Sequence, residues 1–138
     1  MHRHFKPFSN QRVKEYHIVM IKRLTTVFGV ILVLLGLLGF VSNPLIGENA
    51  IFASDAMHNV IHALLGAVLL IVASWSSARA DLWLKIIGAV LFLLGIIGLF
   101  TVPAVGGILL GIAYTNSAYS WFHVVVGAAM FTAGVYGK

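Results

Sequence analysis

Three histidines carry the site chemistry this sequence offers. His58 and His62 stand four residues apart, and His123 follows His62 at a distance of 61 positions. A spacing of four puts two side chains on one face of a helix. Imidazole ligates zinc, copper and iron, and either ring nitrogen can donate or accept a hydrogen bond. The neighbouring residues narrow this range. Asn59 occupies the position that Glu holds in the HExxH zinc-protease motif. Ser120 lies three residues before His123, but the chain's four acids are Glu15, Glu48, Asp55 and Asp81, and none is placed to orient that histidine as a base. With no cysteine, disulfides, thiolate metal sites and thiol catalysis are excluded. His2 and His4 bracket Arg3 in a polar tail and are expected to be solvated. No catalytic constellation is assembled, and the expectation is a protein that is not an enzyme.

Three readings of His58, His62 and His123 stay open. In the first and favoured one each imidazole bonds a loop carbonyl or a neighbouring helix, because a polar group in an apolar medium needs a partner. In the second the three form a metal or haem site. In the third a small apolar ligand, such as a quinone or lipid, is held by His123 with Trp121 and Tyr119. Proton relay is a weaker alternative, since transport paths usually mark themselves with intramembrane acids or bases.

The elements that must position these residues are apolar helices. The chain is 60% hydrophobic and 9% charged, against about 25% charged in ordinary soluble domains. Its mean hydropathy is +1.00. Four runs, Leu24–Gly47, Ala56–Ala78, Ile86–Ala104 and Ala118–Gly137, contain no Asp, Glu, Lys or Arg. A helix of roughly 20 apolar residues crosses the hydrocarbon of a bilayer, and open sheet is excluded there because its edges stay unpaired. Residues 1–22 form a basic head in which Val13, Tyr16, His17 and Met20 share one helical face. This suggests an interfacial helix or a tail. The first apolar run is too long for a signal peptide and is expected to be retained. The expected domains are the head, 1–22, and a four-span unit, 23–138.

Charge placement gives an orientation. Arg3, Lys6, Arg12, Lys14, Lys22 and Arg23 precede the first run, Arg79 and Lys85 flank the 76–85 connection, and Lys138 ends the chain. The other two connections lack Lys and Arg. The positive-inside rule then puts both termini in the cytoplasm, with a bacterial inner membrane as the expected location. The net charge of +5 is expected to meet anionic lipid headgroups. Nucleic acid is not an expected partner, because aromatic and basic residues are not interleaved.

Residues 25–44 and 84–103 are two versions of one segment: Gly29, Gly36, Gly39 and Pro44 reappear 59 positions later as Gly88, Gly95, Gly98 and Pro103. A weaker echo at an offset of 61 relates Asp55, His62, Gly66 and Ala73 to Asn116, His123, Gly127 and Gly134. Two spans per copy keep the orientation, so a parallel duplication is expected, with repeats over about 24–78 and 83–137. Gly29/Gly36, Gly66/Ala73, Gly88/Gly95 and Gly127/Gly134 are each seven apart, or two helical turns. Such small residues are expected to be packing positions, where helices in lipid approach closely. The fold class is therefore all-α, a four-transmembrane-helix bundle of two duplicated hairpins. Pro44 and Pro103 are expected to end the first and third spans. Ser54 or Asp55 and Asn116 or Ser117 are the candidate N-caps of the second and fourth.

The segments DAMHNVIHALLG and NSAYSWFHVVVG, with GVILVLLGLLGF and GAVLFLLGIIGLF, resemble a bacterial family of small four-helix membrane proteins classed as a domain of unknown function. His58, Asn59, His62 and Gly66 match that family's pattern at the start of helix two, with Asp55 where Asn is usual. Ser120, His123 and Gly127 match the shorter pattern at helix four, with Ser120 at the Asn position. The resemblance covers about residues 24–137. It implies four spans and brings no activity or cofactor. The functional expectation is a structural or accessory subunit that docks on a larger membrane complex or self-associates. The alternative is a metal-, haem- or quinone-binding protein.

Overall fold

The structure is a computed structural model describing residues 10–137, without the side chains of residues 77 and 78. His2 and His4 lie outside the described residues. Four helices dominate: α1 (Asn10–Leu38), α2 (Ala56–Trp75), α3 (Ser77–Thr101) and α4 (Ser117–Tyr136). All four are long and apolar enough to cross a membrane. α1 starts inside the basic head and runs into the apolar segment without a break. Val13, Tyr16 and Met20 are exposed along it. Hydroxyls in this helix are satisfied locally: Thr25 Oγ1 donates to the Ile21 carbonyl at 2.7 Å and Thr26 Oγ1 to that of Lys22 at 2.9 Å.

Two boundaries differ from expectation. α1 ends at Leu38, six residues before Pro44. The side chain of Asn43 is the cause. Its Nδ2 donates to the carbonyls of Leu38 (2.9 Å) and Ile46 (3.1 Å), while its Oδ1 accepts from the amides of Leu45 and Ile46, both at 2.9 Å. This folds the chain back before the proline is reached. The expected 76–85 connection is also largely helix. α2 and α3 are separated by Ser76 alone, because the Ala, Arg and Leu residues after it favour continuation. Asp81 and Lys85 pair at 3.2 Å across one turn of α3. Pro103 behaves as expected, with Val102 before it extended at φ −105°, ψ 132°.

The loops facing away from the head hold small ladders the all-α expectation did not contain. In one loop β1 (Ile46–Gly47) pairs in parallel with β2 (Phe52–Ala53); in the other β3 (Gly107–Leu109) pairs antiparallel with β4 (Ala113–Thr115). The β3–β4 turn places Leu110 at φ 52° and Gly111 at φ 72°. Positive φ at both central residues matches the twist of a tight hairpin, for which Asn-Gly is the usual choice.

The glycines explain how the helices pair. A Cβ on Gly29 would meet Leu70 Cγ at 2.9 Å and the Gly66 carbonyl at 3.1 Å; one on Gly66 would meet the Gly29 carbonyl at 2.6 Å. The α3–α4 contact repeats this: a Cβ on Gly88 would meet the Gly127 carbonyl at 2.8 Å, and one on Gly127 the Gly88 carbonyl at 2.7 Å. Gly36 faces the backbone of Asn59 and Ala63, and Gly95 that of Ser120 and Val124. Gly134 lies 2.7 Å, measured the same way, from the Asp81 carbonyl. At every one of these positions except Gly29 a backbone atom lies within 2.7 Å of where the Cβ would be, so even a methyl group has no room there. α1 therefore packs on α2 and α3 on α4. The two hairpins meet over an apolar core that includes Ile21, Leu32, Leu69, Leu84, Leu91 and Met130. Each helix also turns large apolar side chains outward, among them Leu34, Leu64, Leu93 and Val125. Such a surface suits lipid as the surrounding medium.

Candidate functional site

Opposite the basic head, the two hairpins are joined by polar groups. The helix caps supply the first links. Asp55 caps α2, its Oδ1 accepting from the His58 amide at 2.8 Å, while its Oδ2 accepts from the Tyr114 amide in β4 at 3.1 Å. Asn116 caps α4, its Oδ1 accepting from the Tyr119 amide at 3.0 Å, while its Nδ2 donates to the Ile51 carbonyl at 2.9 Å. Each cap thus satisfies its own helix terminus and also holds the other hairpin's loop.

Beneath the caps lie the histidines. His58, His62 and His123 are all buried. His58 Nδ1 donates to the Tyr114 carbonyl at 2.8 Å, so Asp55 and His58 together hold both backbone polar groups of Tyr114. His62 Nε2 and His123 Nε2 are 3.1 Å apart and link α2 to α4. Tyr119 Oη lies 2.9 Å from His62 Nδ1. A bond between two Nε2 atoms requires that one carry the proton and the other a lone pair. If His62 Nε2 donates, His62 Nδ1 accepts from Tyr119; if His123 Nε2 donates, His62 Nδ1–H donates to Tyr119. In both tautomers His62 is fully bonded, whereas His123 Nδ1 has no partner among the described residues.

The rings stack closely. His58 and Tyr119 have centroids 4.3 Å apart, His58 and His62 4.7 Å, and Phe52 closes the cluster edge-on to Tyr119 at 5.5 Å. Asn59, next to His58, is also buried, with its Oδ1 accepting from Ser54 Oγ at 2.9 Å. Thr115 Oγ1 and Ser120 Oγ are buried without partners among the described residues. A cavity of about 230 Å³ adjoins the cluster, lined by the three histidines and by Leu65, Leu91 and Leu94 among other apolar groups.

The sequence-predicted candidates separate here. His58, His62, His123 and Tyr119 come together. Trp121 does not: it is 59% exposed, because its position on α4 turns it outward between two inward residues. The cavity is smaller than the roughly 300–1,000 Å³ typical of small-molecule pockets. Tyr114 is a partner that sequence reasoning missed; it acts through its backbone, which its residue type does not advertise. Tyr119 entered the expectations as a ligand contact. The 61-residue offset pairs it with His58, a signal for membership of the cluster itself.

The geometry defines a class: a four-helix apolar bundle with a buried histidine junction at one end. A family model described as a domain of unknown function (DUF4383) matches residues 22–136. The chain belongs to that family. No curated protein and no solved structure matches it.

Proposed function

We propose that this chain is an integral membrane protein of structural or accessory type, docking on a larger membrane complex or self-associating, in which the histidine junction staples one end of the bundle. The observation that carries this reading is the His62–His123 contact at 3.1 Å between α2 and α4, reinforced by cap-to-loop bonds in both directions. Four apolar helices with outward-facing leucines and valines support insertion in a bilayer. The Lys and Arg distribution supports cytoplasmic termini, a bacterial inner membrane, and contact of the basic head with anionic lipid headgroups. The reciprocal Gly29–Gly66 and Gly88–Gly127 contacts support descent of the two hairpins from one duplicated unit. The role is structural rather than catalytic.

Alanine substitution at His62 and at His123 tests the staple. Thermal unfolding in detergent, with a chelator present, is expected at lower temperature for both variants. If both unfold with the parent, the histidines do not hold the bundle together.

A further inference from the structure

We propose that His58, His62 and His123 form a binding site for a late first-row transition-metal ion of the zinc–copper class, with Tyr119 and the Tyr114 carbonyl holding the ligands in place. This goes beyond the staple reading while using the same residues. One ring nitrogen from each of the three histidines lies within 4.8 Å of those from the other two. Three imidazole nitrogens around a tetrahedral ion, at about 2.0–2.1 Å each, stand roughly 3.3 Å from one another. His62 and His123 at 3.1 Å are already at that separation. Bringing the two sides that involve His58 to the same length shortens each by at most about 1.5 Å.

The outer partners match those of a metal site. Ligating histidines generally donate the second ring N–H to a carbonyl or another oxygen, which fixes the ring and the tautomer. His58 does this through Nδ1 to the Tyr114 carbonyl, leaving Nε2 as its free lone pair. His62 can do it through Nδ1 to Tyr119 Oη. The proton accounting closes without release. In the metal-bound state both facing Nε2 atoms are bare, His62 carries its proton on Nδ1 toward Tyr119, and His123 carries its own on Nδ1. The ion takes the place of the proton between the two Nε2 atoms; the ring that held that proton moves it to its own Nδ1, the other ring already carries its proton there, and both imidazoles stay neutral.

Hydrogen bonding alone accounts for the cluster less well. It does not explain why three imidazoles share one small buried space. Ligand chemistry sets the ion class. Three imidazoles with no ligating carboxylate disfavour Mg²⁺ and Ca²⁺, which take oxygen ligands, and suit zinc or copper. Asp55, with one oxygen on the His58 amide and the other on the Tyr114 amide, supplies negative charge one step away. The adjoining cavity leaves a fourth coordination position for water or a small ligand.

The test uses the full chain in mild detergent, stripped with a chelator and titrated separately with Zn²⁺, Cu⁺ and Co²⁺, the last reporting four-coordination through visible d–d bands. One ion per chain is expected for Zn²⁺ or Cu⁺, with uptake lost in His58→Ala, His62→Ala and His123→Ala and kept in a His2→Ala/His4→Ala control. Tyr119→Phe keeps the ring and decides the matter if the histidine variants fail to fold: it is expected to weaken binding about 10- to 100-fold. A folded parent that takes up none of the three ions overturns the proposal. So does uptake that survives all three histidine substitutions, or full-affinity uptake by Tyr119→Phe. The staple is measured in chelator, so it can fail while metal binding holds, and the reverse.

Discussion

The start of α2 and the start of α4 occupy equivalent places in the two hairpins and solve the same problem with different residues. Asp55 and Asn116 both cap a helix and reach across to the other hairpin's loop. Because Asp55 offers only acceptors, it takes a loop amide; because Asn116 also has a donor, it takes a loop carbonyl. One turn on, His58 and Tyr119 both enter the ring cluster, but His58 bonds a backbone carbonyl and Tyr119 bonds His62. Asn59 is satisfied by Ser54, whereas Ser120 is left without a partner. His62 is bonded at both ring nitrogens and His123 at one. The hairpins thus share a framework of glycine contacts and differ in polar detail. The first supplies the better-satisfied half of the junction.

That difference can be broken or sharpened by paired substitutions. The largest effect is expected at the histidines. His62→Ala should cost about 3 kcal/mol in unfolding free energy, combining a buried void with stranded partners. His123→Ala should cost about 1 kcal/mol less, the worth of one hydrogen bond. Equal losses would mean the Tyr119 bond contributes nothing. Next come Gly66→Val and Gly127→Val, each expected to lower stability by about 2–3 kcal/mol, because backbone faces both positions. Denaturant titration that finds one tolerated and the other not would end the equivalence of the two hairpin seams. Asp55→Ala and Asn116→Ala should each cost about 1–2 kcal/mol, as lost N-caps, and should raise amide hydrogen exchange in the opposite loop. The smallest contrast is between Asn59→Ala, at about 1 kcal/mol, since Ser54 loses its acceptor, and Ser120→Ala, within about 0.5 kcal/mol. A costly Ser120→Ala would reveal a partner for that hydroxyl.

Much of this was legible in the residues. Uncharged runs marked the four helices, and glycines seven apart marked the faces on which α1 meets α2 and α3 meets α4. Asp55 and Asn116 were among the named caps, and His62 and His123 were matched by the repeat. What escaped has identifiable causes. Pro44 looked like the helix stop, but an Asn side chain that captures the Leu38 carbonyl ends the helix earlier, and nothing in local spacing distinguishes that Asn from any other loop residue. The basic 76–85 segment read as a loop by its charge, yet its Ala, Arg, Leu and Lys residues are good helix formers. The β3–β4 hairpin has Leu110-Gly111 where Asn-Gly would have announced a turn. Trp121 was grouped with the site by proximity in sequence, although neighbours on a helix point about 100° apart.

The central claim is that His62 and His123 act on each other across the junction between the hairpins. A double-mutant cycle measures this directly: unfolding free energies, in chelator, of the parent, His62→Ala, His123→Ala and the double variant. The account predicts a coupling of about 1 kcal/mol or more between the two positions. Additive losses would show that the two imidazoles do not interact, and would contradict it.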